Sequence, residues 1–191
     1  DPAGRALLQR MPAAGGRAYD RWRRAWEPQS QPSFCGPASA LAALRFFRLQ
    51  AAWTQQDIYQ KVIAPHGLFT KGLSLAHGVE MLRLLSAGRL RLEERCLTDE
   101  AEMSKLLSED LARAFEEGVE MCLLVNYWRP WGGHWSPLAG WSEGKVLIMD
   151  TNAQRLPPHW VPLSTLVKAL CRLNEVTGRP RGYVVLRPAA V

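Results

Sequence analysis

Gly132-Gly133-His134-Trp135-Ser136-Pro137-Leu138-Ala139-Gly140-Trp141-Ser142-Glu143-Gly144-Lys145-Val146-Leu147-Ile148-Met149-Asp150 is the stretch that decides the architecture. Two apolar runs flank the polar, glycine-bearing turn Ser142-Glu143-Gly144, which is the pattern of an antiparallel hairpin. Strands are expected at 135–141 and 145–150. A hairpin centred on Ser142 sets His134 and Asp150 opposite each other, both eight positions from the centre. Opposed Cβ atoms in such pairs are ~5 Å apart. A carboxylate at that distance accepts from one imidazole nitrogen, fixes the tautomer and leaves the other nitrogen free for proton transfer.

Outward from the hairpin, further strands are expected at 119–128 and 182–187, with a helix at about 163–173. Upstream the chain reads differently. The first thirty residues form an Arg-rich helix that ends in the polar loop Glu27-Pro28-Gln29-Ser30-Gln31-Pro32. Cys35-Gly36-Pro37-Ala38-Ser39-Ala40-Leu41-Ala42-Ala43-Leu44 is helical by its Ala and Leu content, and proline is tolerated in a first turn. Thr54 opens a short helix to about Ile63, with Asp57 completing a capping-box-like start. Ser74 caps another that stops near Gly88. Residues 90–97 are extended, and an amphipathic helix runs from about Asp99 to Glu117. Helices first and an antiparallel sheet later make an α+β protein. It reads as one domain over 1–191, helical to about 118 and sheet from about 119.

The 191 residues are 47% hydrophobic and 22% charged, enough to bury a core and too apolar for disorder. The net charge of +6 is partly concentrated in Arg21-Trp22-Arg23-Arg24. A basic run with an aromatic raises nucleic-acid binding. No recognition motif accompanies it, so it reads as a solvated helix face and nucleic acid is not expected as a partner. A cationic surface instead favours a small anionic substrate. Cys35, Cys96, Cys122 and Cys171 form no CxxC pair, and the four histidines include no i, i+4 pair, so no metal site is expected in the protein. No run of about 18 apolar residues exists to span a membrane. The sequence starts at Asp1, compatible with removal of an upstream signal or anchor, so cytoplasm and periplasm both stay open. A homodimer is likewise left open.

A cysteine at a helix start is where a thiolate forms most readily, because unpaired N–H groups and the helix dipole favour negative charge. Cys35 holds that place, while the other three cysteines fall at apolar positions inside expected elements. Gln29, six residues earlier, is a candidate donor to an oxyanion beside the Cys35 N–H. Cys35 as nucleophile, His134 as base and Asp150 as its orienter describe cysteine acyl chemistry. No G-x-S-x-G elbow, phosphate loop or dinucleotide fingerprint competes.

At these residues the sequence resembles the phytochelatin synthase family, papain-like cysteine peptidases, in its short bacterial form. The likeness covers roughly 29 to 188. It rests on Ser33-Phe34-Cys35-Gly36-Pro37-Ala38-Ser39, Gly133-His134-Trp135-Ser136-Pro137, Leu147-Ile148-Met149-Asp150, Pro157-Pro158-His159-Trp160-Val161-Pro162 and Arg181-Gly182-Tyr183. The resemblance implies a papain-like fold, a helical lobe packed on an antiparallel sheet lobe with the active-site cleft between them. It implies attack on glutathione, release of glycine and passage of the γ-glutamylcysteinyl group to a second glutathione or to water. No cofactor is bound by the protein; cadmium or zinc would arrive as a thiolate complex of the glutathione substrate. Gln29 falls on the family's oxyanion glutamine, and Arg129, Gly133, Arg155 and Arg181 are the substrate-binding candidates, Arg129 for a substrate carboxylate. Ala153 stands where relatives carry an arginine, with Arg155 as its substitute, and Asn174 where relatives often carry an acid. The alternatives are a hydrolase of glutathione or γ-glutamyl peptides, and a non-catalytic module that binds thiol peptides.

Overall fold

The computed structural model describes residues 2–49, 52–69 and 72–189. The single Arg-rich helix expected at the start is two, α1 (Pro2–Arg10) and α2 (Ala13–Ala25). The break is at Met11-Pro12, because proline lacks an N–H and forces the residue before it out of helical geometry. In α2 the aromatic of the basic run turns inward: Trp22 is buried, its ring 4.6 Å from that of Phe46. Arg17 and Arg21 turn outward and pair with Glu117 and Glu120.

Helix α3 (Cys35–Phe46) is buried almost all round, which is why its residues are small or aliphatic on every face. The Thr54 capping box forms as read, Thr54 Oγ1 accepting from the Asp57 N–H at 3.1 Å and Asp57 accepting from the Thr54 N–H at 3.0 Å. It starts α4 (Gln55–Ile58), which continues as a π-helical turn over Tyr59–Ile63. Ser74 caps α5 (Leu75–Ser86), and Asp99 caps α6 (Glu100–Ala114). The last helix is α7 (Leu163–Cys171).

The strands are β1 (Leu90–Arg95), β2 (Cys122–Arg129), β3 (Gly132–Ser142), β4 (Lys145–Ile148), β5 (His159–Pro162) and β6 (Gly182–Pro188). They form one sheet in the order β1-β6-β2-β3-β4-β5, with every neighbouring pair antiparallel. Strand β1 comes from the helical half and closes one edge of the sheet, so the boundary near 118 does not separate helix from sheet. Strand β5 was not among the strands expected; its four residues lie within the proline-bounded Pro157–Pro162 segment and complete the other edge.

Alternation along the strands builds two cores. Cys122, Leu124, Trp135, Ala139, Leu147, Met149, Val184 and Leu186 face α2, α3 and α5, whereas Leu123, Val125, Leu138, Val146, Ile148, Tyr183 and Val185 face α6 and α7. The N-terminal helices thus pack on one face of an antiparallel sheet, the α+β arrangement read from the sequence, and two later helices cover the other face.

The hairpin register differs from the expected one. Its turn is Glu143-Gly144, both with positive φ (50° and 70°), as a two-residue turn between right-twisted strands requires. The pairing then slips between Leu138 and Gly140, giving Leu138↔Ile148, and the Met149 N–H donates to the Pro137 carbonyl at 3.0 Å. Continued, this register sets Asp150 beside Ser136. His134 is therefore a diagonal neighbour of Asp150, not the residue facing it.

Candidate active site

Cys35 is the first residue of α3. Phe34 provides no side-chain cap, and Ala38 is the residue whose N–H returns to the Phe34 carbonyl. Pro37 has no N–H, so the amides of Cys35 and Gly36 are the free positive end of the helix. Burial pushes the Cys35 thiol up. A hydrogen bond from His134, the charge on its ring, the Trp135 backbone N–H and the Arg129 charge outweigh that and hold it below its ordinary value. The other three thiols go the opposite way. Burial raises Cys96, raises Cys122 well above the ordinary range, and carries Cys171 to about 11 with help from Glu100 and Asp99. All four are free.

The diagonal relation still brings His134 and Asp150 together. His134 Nε2 lies 2.9 Å from Asp150 Oδ1 and 3.3 Å from Thr151 Oγ1, which itself donates to the Trp135 carbonyl at 3.1 Å. With Nε2 committed as the protonated nitrogen, Nδ1 is the one left for Cys35. Burial pushes His134 down, but Asp150 and Cys35 more than restore it, so the ring is held above its ordinary value. Lowering the thiol and raising the imidazole both favour passage of the proton from Cys35 to His134, and two groups so coupled titrate as a unit.

Asp150 is fully buried and saturated with donors. Tyr127 Oη donates to Oδ2 at 2.9 Å, Arg129 Nη1 lies 2.8 Å from Oδ2 and 3.1 Å from Oδ1, and the Asn152 N–H reaches Oδ1 at 2.8 Å. Burial pushes this carboxyl up; His134, Arg129 and the Asn152 N–H together bring it down to about 2. Arg129, expected to meet a substrate carboxylate, is thus placed on Asp150. Strand geometry explains it: Tyr127 pairs with His134 and Arg129 with Gly132, so residues 127, 129 and 134 share one face of the sheet. Tyr127 and Thr151 were not among the sequence candidates. The period of β2 would have found Tyr127 once its pairing with β3 was known; nothing local marks Thr151.

Cys35 opens on a cleft of about 600 Å³ whose lining includes Gly133, Trp128, His77, Asn174, Glu175 and Arg181. Arg181 is 6% exposed, stacks 5.2 Å from the Trp128 ring centre and donates from Nη1 to Asn126 Oδ1 at 3.3 Å. It pairs with no carboxylate among the described residues. Its guanidinium occupies the space a side chain at 133 would need: a Cβ on Gly133 would stand 2.1 Å from Nη1. Asn174 uses Oδ1 to accept from the Val176 N–H, and Glu175 beside it is the carboxylate of this wall.

Gln29 and Arg155 lie elsewhere. They line a second groove of about 630 Å³ formed by residues 28–32 and 151–155. Gln29 Nε2 donates to the Gln31 carbonyl at 3.0 Å, so the amide is not turned on the Cys35 cleft as the oxyanion reading expected. Its loop is staked by Gln55, which accepts from the Ser30 N–H and donates to the Pro28 carbonyl, and by the Gln29 N–H on the Thr151 carbonyl at 2.7 Å. The Arg155 guanidinium lies 5.1 Å from the ring centre of Trp131. Among the described residues no three His, Cys, Asp or Glu side chains converge to hold a metal ion, and no helix is long and apolar enough to cross a membrane.

A helix-start cysteine, a strand histidine and a buried carboxylate on an α+β scaffold define a protein of the papain-like cysteine-peptidase fold. The peptidase domain of Streptococcus ComA, a bi-functional ABC transporter involved in quorum sensing, has this fold with a TM-score of 0.56 at 11% identity, over 85% of this chain and 97% of that one. A double glycine motif protease from an AMS/PCAT transporter aligns with a TM-score of 0.50 at 14% identity, over 86% and 91%. Residues 2–183 match the phytochelatin synthase family, and the chain belongs to it. It is 27% identical over 178 residues to glutathione gamma-glutamylcysteinyltransferase 3 of Lotus japonicus, covering 84% of this chain and 36% of that protein. Against glutathione gamma-glutamylcysteinyltransferase 1 of Arabidopsis thaliana the identity is 25% over 178 residues, 84% of this chain and 35% of the relative. The chain therefore spans about a third of the length of these curated relatives.

Proposed function

We propose that this chain catalyses cysteine-dependent acyl transfer on glutathione. The Cys35 thiolate attacks the carbonyl carbon of the cysteinyl–glycine bond. The C–N bond breaks, the His134 imidazolium gives its proton to the departing glycine amine, and a γ-glutamylcysteinyl thioester remains on Cys35. Water or the α-amine of a second glutathione then attacks that carbonyl. Neutral His134 takes the proton, the C–S bond breaks, and the thiolate–imidazolium pair returns. The observation that carries the reading is the geometry of the site: Cys35 opens helix α3, and the buried Asp150 holds His134 Nε2 at 2.9 Å, leaving Nδ1 for the thiol, which is held low while the other three are raised. Family membership directs that chemistry to glutathione.

In the cleft, Arg181 receives the donor's α-carboxylate, for which a planar two-pronged donor is suited, and Glu175 takes the α-amine in place of Asn174. Asp150 and Gly133 serve by position, one orienting His134 and the other giving Arg181 its space. Cadmium or zinc enters as a thiolate complex of the glutathione, as substrate. Release of γ-glutamylcysteine to water is the second reading, favoured by Ala153, which leaves Arg155 as the single cation lining the second groove. The test is incubation with glutathione, with and without cadmium, followed by quantitation of glycine and oligomer and by mass spectrometry of Cys35. A γ-glutamylcysteinyl adduct on Cys35, lost in Cys35→Ala, is expected. Absence of both glycine and adduct would sink the assignment to glutathione.

A further inference from the structure

The cleft beside Cys35 holds a titratable side chain that the reaction leaves unused, His77. It is the third residue of α5. Its backbone N–H donates to Ser74 Oγ at 3.2 Å, so the cap is made by the main chain and the imidazole takes no part in it. The first turn of α5 is clamped to β3. A Cβ on Gly78 would stand 2.3 Å from Trp135 Cζ2, inside a buried ring, and Trp135 Nε1 donates to the Leu73 carbonyl at 2.8 Å. Trp135 follows His134 in the strand, so His77 has a set place relative to the reacting pair.

His77 Nδ1 is buried and has no hydrogen-bond partner among the described residues. Native proteins leave few buried polar atoms unpaired, and each such atom calls for a physical account. Neighbouring polar groups of the cleft are already engaged. Asn126 donates to the Leu73 carbonyl and accepts from Arg181, Asn174 accepts from the Val176 N–H, and Ser74 accepts from His77 itself. The acyl half of a donor glutathione sends its carbonyl to Cys35, its α-carboxylate to Arg181 and its α-amine to Glu175, which leaves its cysteinyl side chain without a partner. That side chain branches from the carbon bonded to the attacked carbonyl, so it lies in the same stretch of cleft as Cys35. An imidazole suits it, because a thiol donates weakly to a ring nitrogen and a thiolate accepts from a ring N–H. Phe69, Leu73 and Trp135 line the same cleft and offer the apolar and aromatic surface that sulfur favours.

We propose that His77 receives the cysteinyl sulfur of the donor and so makes the cleft select thiol peptides over peptides of the same shape without sulfur. The inference rests on the glutathione reading above and adds to it the seat of the donor's side chain. The sulfur arrives either as the free thiol or bound to cadmium, and the two are separated by the presence or absence of the metal.

The experiment compares glutathione with γ-glutamyl-2-aminobutyryl-glycine, in which a methyl group replaces the thiol, each with and without cadmium. Binding is measured by calorimetry on Cys35→Ala, which cannot turn over, and on the same protein carrying His77→Ala or His77→Gln. Glycine release is measured in the protein that keeps Cys35. Cys35→Ala is expected to bind glutathione about fivefold more tightly than the analogue, the scale of one net hydrogen bond. His77→Ala should erase that preference without weakening the analogue, and His77→Gln should keep part of it. With Cys35 present, His77→Ala should raise KM for glutathione by the same factor and act on KM more than on kcat. A preference seen only with cadmium assigns the contact to metal-bound sulfur, and one seen in both conditions assigns it to the sulfur itself; either supports the proposal. Equal affinity for the two peptides in both conditions, or an equal loss for both in His77→Ala, overturns it. Selective binding without glycine release removes the acyl-transfer reading and leaves the seat standing, whereas binding of neither peptide removes both.

Discussion

Replacing Arg129 by glutamine removes a buried cation that the structure places on Asp150 and near Cys35, and its consequences are separable. Asp150 is 0% exposed and held at about 2 instead of 3.8. At 1.36 kcal/mol per pH unit, that depression corresponds to roughly 2–3 kcal/mol of net stabilisation of the carboxylate by all its partners. Removing one member of a buried ion pair typically costs 3–5 kcal/mol, because the survivor is left desolvated. Asp150 keeps His134, Tyr127 and the Asn152 N–H, so the low end applies, about 3 kcal/mol. For a domain of this size that lowers Tm by roughly 6–12 °C.

The sign with pH follows from the direction of the shift. A carboxyl depressed on folding contributes stability that is present above its unfolded value, 3.8, and is lost as pH falls toward about 2. In Arg129→Gln the folded value rises, so the contribution shrinks and its loss begins at higher pH. Loss of a cation also raises the proton affinity of neighbouring groups, Cys35 among them. The acid limb of the alkylation rate of Cys35 by iodoacetamide should therefore move to higher pH, with Arg129→Lys in between. Thermal melts between about pH 3 and 8 and the alkylation profile check both. A variant that melts within about 2 °C of the parent and keeps its acid limb would refute the role given to Arg129.

At about pH 6, below the ordinary thiol value near 8.5, iodoacetamide should modify Cys35 and leave Cys96, Cys122 and Cys171 untouched. Peptide mapping checks this, and His134→Ala should abolish the preference. Gly133→Ala should displace Arg181, whose Nη1 would stand 2.1 Å from the new Cβ. The flexible guanidinium can give way, so the melt should hardly move, while KM for glutathione rises about tenfold, the scale of one lost charge-assisted contact.

Most of the elements were legible because their signals are local. The Thr54 and Ser74 caps, the run of small residues after Cys35 and the aliphatic β4 each specify their own conformation within a few residues. What was misread depends on something non-local. The Met11-Pro12 break was missed because the arginine run looked continuous, though proline's steric rule was there to be read. Strand β5 and the place of β1 in the sheet depend on partners far away in the chain. The hairpin register depended on the turn falling at Glu143-Gly144 and not on Ser142, and on a slip at Ala139, which no composition signal marks. His134 and Asp150 meet because of that slip: it moves Asp150 from a place opposite Pro137 to one beside Ser136, on the face His134 shares, and a diagonal approach is within reach of an imidazole and a carboxylate. Gln29 is the instructive case: spacing put it in the loop before α3, but which groove that loop lines and which way the amide turns are decided by Gln31, Gln55 and Thr151.

The arrangement also explains why a cation belongs behind the orienting carboxylate. Burying a thiolate is unfavourable, and burial is the largest influence on Cys35. A protonated His134 offsets it, and Asp150 in turn stabilises that protonated ring. Asp150 is itself fully buried and would take up a proton unless something else held its charge, which Arg129, Tyr127 and the Asn152 N–H do. In the thiolate–imidazolium state proposed for the reaction the charges alternate from group to group: thiolate, imidazolium, carboxylate, guanidinium. Each charge is flanked by its opposite, so removing Arg129 at the far end is felt at the sulfur. That is why the alkylation profile, and not the melt alone, is the decisive measurement on Arg129→Gln: a guanidinium that merely filled space would change the second without moving the first.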